Sequence, residues 1–289
     1  MTLLFGNRPF TFEDFFSLAS EGELDFSKLS YANVMRKSIA AGFKHIEITG
    51  DLPYVLPGIL SPDEIDLLLE IKKKEKITYS VHLPLWGIEP ATFSPYVRKG
   101  SVETLIESIE LTKPLEPVCW VFHSAGKINN EFLNFKFPDL ARGIMMQQFV
   151  SWAKDSIKTI LEKTDIPSRK FAVENIEFPF TAIEPVIQEL DVSICFDTGH
   201  LIAGFSGKFT TMEFVERYYE RIIELHLHDG AYPRIDHKPL GTQDLPVEEL
   251  LRELLERKFT GPLVFELSLE EAKQSMKYIE EKVPEAIHK

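Results

Sequence analysis

Asp197 closes the run Ser193-Ile194-Cys195-Phe196-Asp197-Thr198-Gly199-His200, and His200 follows it three positions on. An acid at the last position of an apolar β-run and an imidazole close by are groups that hold a divalent cation or move a proton. Alone, the D-x-x-H spacing serves equally well as a capped turn carrying a hydrogen-bonded histidine. Repetition is what gives it weight. Alternation along successive apolar runs sets Ser80 and His82 against Val81 and Leu83, and Val121 and His123 against Trp120 and Phe122. It sets Ala172 and Glu174 against Phe171 and Val173, Glu224, His226 and His228 against Leu225 and Leu227, and Val264 and Glu266 against Leu263, Phe265 and Leu267. Each run thus carries, near its C-terminal end, a His, Asp or Glu that faces away from its large apolar residues. A single inward histidine is ordinarily a core residue, but buried carboxylates and imidazoles packed together without a cation are costly to desolvate. A divalent metal resolves that cost, and mixed imidazole and carboxylate donors suit zinc, with manganese the alternative.

The elements that must carry these groups alternate strand and helix along the whole chain. Strands are expected at 3–5, 45–49, 78–83, 118–123, 171–174, 193–197, 222–228 and 263–267. Helices are expected near 33–41, 61–74, 97–111, 140–162, 182–189 and 212–221, then from Pro246 and over 270–282. A long Phe-rich, acidic excursion covers 8–30, and His200 is placed at the start of a loop. Eight strand–helix units in 289 residues predict an α/β protein, a single (β/α)8 TIM barrel domain over 1–289. Its chemistry belongs at the C-terminal ends of the strands. A doubly wound sheet would show a Gly-rich phosphate turn after an early strand, and none is present.

Composition narrows the partners. Hydrophobic residues make up 44% and charged residues 27%, the balance of a soluble protein with a sizeable core. No apolar run approaches the roughly 18 residues needed to span a membrane, and Met1 to Arg8 lacks a signal-peptide pattern. Cys119 and Cys195 fall within strands, as buried thiols rather than a disulfide framework, so the expected location is cytoplasmic. A net charge of −13 without a clustered basic face argues against duplex nucleic acid. The densest run, Lys72-Lys73-Lys74-Glu75-Lys76, reads as cations at a helix C-terminus.

The combination Cys195-Phe196-Asp197-Thr198-Gly199-His200, Leu225-His226-Leu227-His228-Asp229 and Val264-Phe265-Glu266 resembles the xylose isomerase-like barrel superfamily over almost the whole barrel. That group contains endonuclease IV (AP endonuclease family 2) and the single-metal sugar isomerases and epimerases. The isomerase pattern implies one metal on Glu174, Asp197, His226 and Glu266. The endonuclease IV pattern implies two or three zincs. The first lies between His82, His123 and a bridging Glu174; the second is held by Glu174, Asp197, His226 and Glu266. The third falls to His200 with His237. That third site also uses an Asp two residues before its last His, where this chain has Ile235, with Asp236 adjacent.

The extra histidines favour a metal-dependent phosphodiester or phosphoester hydrolase. Glu174 and Glu266 are then the catalytic pair: Glu174 bridges the metals that carry the nucleophilic hydroxide, and Glu266 orients it. The alternative is a sugar or sugar-phosphate isomerase or epimerase, with Glu174 and Glu266 as proton-transfer bases and His200 as a substrate contact. A non-catalytic metal-binding or ligand-sensing barrel is the third reading. The expected partner is a small or medium-sized phosphorylated or sugar-like molecule. Trp86, among many aromatic residues of the active-face loops, would line its pocket. Arg98, Lys127, Arg234 and Lys238, with Arg8 and Lys208, are candidate phosphate contacts.

Overall fold

In the computed structural model, residues 2–9, 30–176 and 178–288 are described. Most of the excursion expected over 8–30, residues 10–29, lies outside them. In chain order the strands are β1 (Leu4–Asn7), β2 (His45–Thr49), β3 (Thr78–His82), β4 (Trp120–Phe122), β5 (Phe171–Glu174), β6 (Ser193–Asp197) and β7 (Ile222–His226), then β8 (Asp229–Ala231), β9 (Ile235–Lys238) and β10 (Pro262–Phe265). The order β1-β10-β7-β6-β5-β4-β3-β2 closes a barrel of parallel strands, while β8 and β9 pair antiparallel outside it. The expected TIM barrel is the observed one, and the open-sheet alternative is excluded.

The helices are α1 (Tyr31–Ala40), α2 (Leu52–Val55), α3 (Pro62–Glu75), α4 (Pro95–Thr112), α5 (Lys127–Asn134), α6 (Asp139–Thr164), α7 (Phe180–Glu189), α8 (Thr198–Ala203), α9 (Thr211–Tyr218), α10 (Val247–Glu256) and α11 (Leu269–Lys282). Their ends follow local chemistry. Ser61 caps α3 by accepting the Glu64 N–H, and Pro62 opens it. Lys72, Lys73 and Lys74 fill its last turn, and Lys72 Nζ donates to Leu115 O at 2.6 Å. The lysine run therefore ends a helix, as expected. Ser268 with Glu271, and Thr210 with Glu213, form capping boxes on α11 and α9.

Outward-facing Ile46, Ile48, Tyr79, Val81, Phe122, Phe171, Val173, Ile194, Phe196, Leu225, Leu263 and Phe265 are all fully buried against the helices. At roughly 1.5–3 kcal/mol for each large apolar side chain removed from water, this layer dominates the stabilisation of the barrel. Inside, the packing is small: Cys119, Val121, Ala172 and Cys195 form a separate cluster closed by Ile223. Ile194 pairs with Ile222 but Cys195 with Glu224, so Ile223 is the extra residue of a bulge. Above that floor the interior turns polar with His45, Glu47, Ser80 and Glu224, all buried.

Three expectations are corrected. His200 does not begin a loop; it lies in α8, which Asp197 caps by accepting the His200 backbone N–H at 2.6 Å. The seventh strand stops at His226 rather than at 228, because Asp229 starts the β8–β9 hairpin. The fourth strand spans only Trp120–Phe122, and the loop after it contains α5.

Candidate metal centre

Glu174 ends β5 at the middle of the barrel mouth. Its Oε2 lies 3.0 Å from His123 Nε2 and 3.3 Å from His82 Nε2, and its Oε1 lies 2.8 Å from His200 Nδ1. His82 is held from behind, its Nδ1 2.9 Å from the Leu83 carbonyl, which leaves Nε2 facing the centre. Asp197 ends β6 one strand over. Asn175 locks the two strand ends together: its Oδ1 accepts the Asp197 N–H at 2.6 Å and its Nδ2 donates to the Asp197 carbonyl at 2.9 Å. Asp197 Oδ2 stands 3.3 Å from His200 Nδ1 and 3.6 Å from His226 Nδ1. His226, in register with Asp197, also brings Nδ1 to 3.4 Å from Glu266 Oε1 and 3.7 Å from Glu174 Oε2.

A third group sits over α8 and the hairpin. His237 Nε2 lies 3.3 Å from Glu266 Oε2, and its Nδ1 lies 3.3 Å from Asp236 Oδ2. Asp236 Oδ2 is also 3.6 Å from His200 Nε2. Asp236 thus faces both His200 and His237, whereas Ile235 is exposed at 40%. His228 packs against His237 with ring centroids 4.3 Å apart. Gly199 makes room for it, since a Cβ there would come within 2.1 Å of His228 Nδ1. Gly204, at φ +85, ends the helix in the left-handed region.

The donor set fits a divalent cation. Glu174 Oε1, His200 Nδ1, His226 Nδ1 and Glu266 Oε1 are buried and make no well-directed hydrogen bond among the described residues, although Glu174 Oε1 faces His200 Nδ1 at 2.8 Å and Glu266 Oε1 is ion-paired with Arg8. Such atoms, converging on one point, are donors that a cation would satisfy. Atoms sharing a zinc ion at about 2.1 Å in a tetrahedron are about 3.4 Å apart; the separations above run from 2.8 to 3.7 Å. Burial pushes Glu174 and Glu266 upward, yet His123 and His226 hold Glu174, and Arg8 and His226 hold Glu266, well below the usual carboxylate range. Conversely, against its own burial, His226 is raised well above 6.5 by Cys195 and by Glu266, Glu47 and Glu174. His237 is raised to about 10, against burial, by Asp236 and Glu266. On binding a metal ion, imidazoles paired with carboxylates in this way would give up shared protons to become neutral ligands.

All eight expected ligands, His82, His123, Glu174, Asp197, His200, His226, His237 and Glu266, therefore meet at one mouth. The expected substrate contacts are dispersed. Lys127 Nζ sits 3.8 Å over the Trp86 ring, between the loops after β3 and β4. Arg234 is near the centre: its guanidinium lies 5.3 Å from the Phe205 ring, which meets the His200 ring edge-on. Lys238 is exposed at the end of β9. Arg98 is turned away, donating to Thr92 O at 2.6 Å and lying over Trp152 on the outer helices. Arg8 is no free phosphate contact, because Nη1 is ion-paired with Glu266 Oε1 and lies 4.0 Å from Glu47 Oε1. Glu47 was missed, although alternation along 45–49 puts His45 and Glu47 on the inward face. The β8–β9 hairpin, which delivers Asp236 and His237 together, carried no strand-length pattern.

The family profile of the xylose isomerase-like TIM barrel matches residues 35–282. An uncharacterized protein of Methanocaldococcus jannaschii, MJ1311, is 28% identical over 239 residues, 78% of this chain and 79% of its own. Among solved structures, a D-tagatose 3-epimerase-like protein superposes with a TM-score of 0.72 at 21% identity, covering 98% of each chain. Endonuclease IV from Thermus thermophilus superposes with a TM-score of 0.65 at 18% identity, covering 90% of this chain and 96% of its own. At those identities the two structures speak to the fold alone, and they stand on either side of the division between hydrolase and epimerase. The profile match spans most of the chain: it belongs to the xylose isomerase-like TIM barrel family.

Proposed function

We infer that this chain is a metal-dependent phosphodiester or phosphoester hydrolase acting on a small or medium-sized metabolite. One observation carries the reading. His82 and His123 both converge on Glu174 Oε2, at 3.3 and 3.0 Å, forming a metal position beyond the four ligands Glu174, Asp197, His226 and Glu266. In a one-metal isomerase the two histidines would be left as substrate contacts or structural groups. His200, His237 and Asp236 supply donors for a third position.

Divalent ions, zinc by the mix of donors, would polarise a phosphoryl oxygen and lower the pKa of water from 15.7 to about 7. The chain's residues do the rest. Glu174 ties the positions together, and Glu266, between Arg8 and His237, orients the attacking water. Arg234, Lys127 and Lys238 are the cations available for the phosphoryl oxygens, and Trp86 for an apolar part of the substrate.

The second reading, an epimerase or isomerase, draws on the same geometry. Glu174 and Glu266 both approach His226 Nδ1, so two carboxylates flank one position and are placed to exchange a proton with adjacent carbons. Metal analysis separates the two. Two or three zincs per chain, with hydrolysis of a generic aryl phosphodiester that His123→Ala abolishes, is the expected result. One metal per chain, or hydrolysis retained by His123→Ala with unchanged metal content, overturns the hydrolase reading.

A further inference from the structure

Beneath the centre stands a carboxylate that none of the ligand positions uses. Glu47, on β2, is fully buried, and its Oε2 lies 3.1 Å from His226 Nε2. The other carboxylate beside that nitrogen, Glu224 through its Oε1, is 3.7 Å away, beyond hydrogen-bond reach. The opposite ring nitrogen, Nδ1, faces Glu266, Asp197 and Glu174 at 3.4, 3.6 and 3.7 Å and makes no hydrogen bond among the described residues. A neutral imidazole has one N–H and one lone pair, and the hydrogen bond made by one nitrogen decides which atom keeps the lone pair.

We propose that Glu47 is a positioning residue: it accepts the Nε2–H of His226 and thereby fixes Nδ1 as the ligand atom turned to the metal centre. The proposal rests on the reading that this centre holds a divalent cation. The surroundings of Glu47 are built for such a task. Tyr31 pins the backbone immediately after it, donating its hydroxyl to Glu47 O at 3.2 Å and accepting the Thr49 N–H at 3.0 Å. Arg8 Nη1 stands 4.0 Å from Glu47 Oε1 while pairing with Glu266, so one guanidinium offsets the charge of the positioning carboxylate and of a ligand. A carboxylate behind a ligating imidazole fixes its ring and raises its basicity, and losing such a partner typically weakens metal binding 10- to 100-fold. A carboxylate present only to fill the barrel floor would have no reason to act through His226.

The test is zinc affinity, measured by competition with a chromophoric chelator on the full chain, with zinc alone as probe. Four proteins are compared: wild type, Glu47→Gln, His226→Asn and the double variant. Gln preserves the shape of the side chain, and the melting point of the metal-free protein checks folding. Expected is a loss of about 10- to 100-fold in the tightest site for Glu47→Gln, and no further loss when it is added to His226→Asn. Wild-type affinity in Glu47→Gln overturns the proposal, as does an equal loss in the His226→Asn background, which would make the effect merely structural. Failure of the wild type to bind zinc overturns instead the metal-centre reading on which it rests.

Discussion

His228 Nε2 lies 2.9 Å from Asp197 Oδ2, while His228 Nδ1 accepts the backbone N–H of His237 at 2.9 Å. Both ring nitrogens are therefore engaged inside the site, and burial lowers the imidazole pKa from 6.5, which suits a neutral ring donating from Nε2. His228 links the Asp197 side of the centre to the hairpin that carries His237, and with both nitrogens engaged it is placed to organise the site rather than to bind a metal. His228→Ala is expected to leave the number of bound zincs unchanged and to weaken their affinity by about tenfold or more. Titration of the metal-free variant with zinc decides it: loss of one whole equivalent would make His228 a ligand.

Asp236 faces both His200 and His237 within 3.6 Å and is half-buried. If it completes the third position in place of Ile235, Asp236→Ala removes one zinc per chain and spares those on Glu174. Elemental analysis after dialysis reads the difference. An unchanged count would leave Asp236 as the partner of two histidines and nothing more.

Much of this centre was legible because an acid at the end of an apolar strand has few structural reasons to be there. Asp197, Glu174 and Glu266 each follow large residues that pack outward, and alternation alone turns them inward. The same rule applied to 45–49 turns Glu47 inward, so its placement too is legible in the sequence. The hairpin is not. Asp229 to Lys238 is too short and too polar for a periodic signal, and its placement depends on Asp229, whose carboxylate accepts the backbone N–H groups of Thr242, Gln243 and Leu245. Those contacts span 13 to 16 positions and no local pattern reports them. Helix α8 was hidden by its brevity and by Gly199. Arg8 illustrates a further limit, for its charge was visible but its ion pair with Glu266 is a long-range contact between the end of β1 and the end of β10.

The buried polar groups inside the barrel make stability depend on pH. Ser80 Oγ donates to Glu224 Oε1 at 3.0 Å, and Cys119 Sγ to Oε2 at 3.2 Å. Burial, chiefly, pushes the Glu224 carboxyl from 4.5 up to about 8, and burial lowers His45 to about 3, so both are neutral near pH 7. Below pH 4.5 Glu224 is protonated folded and unfolded alike, and it imposes no penalty. As pH rises toward 8 the unfolded chain releases this proton and the folded one keeps it, so stability falls across that window. Glu224→Gln removes the penalty while keeping an acceptor and a donor. The metal-free variant is expected to match wild type near pH 5 and to melt higher near pH 8, by on the order of 2–4 kcal/mol. Parallel melting curves of the two proteins from pH 5 to pH 8 would exclude it.

Gly199 offers a sharper packing test, because the usual rule predicts the opposite outcome. Within a helix, Gly→Ala ordinarily stabilises by up to about 1 kcal/mol. At position 199, however, the new methyl would meet His228 Nδ1 at 2.1 Å and Cε1 at 2.2 Å. That ring cannot swing aside without releasing Asp197 and the His237 backbone. Gly199→Ala is therefore expected to destabilise by about 1–3 kcal/mol, the usual cost of overpacking, and to weaken zinc binding. Adding His228→Ala empties the space, so the double variant should melt above the sum of the two single effects. A Gly199→Ala protein that melts higher than wild type and retains its zinc would show that His228 has room to move, and the rigid link from Asp197 to the hairpin would have to be abandoned.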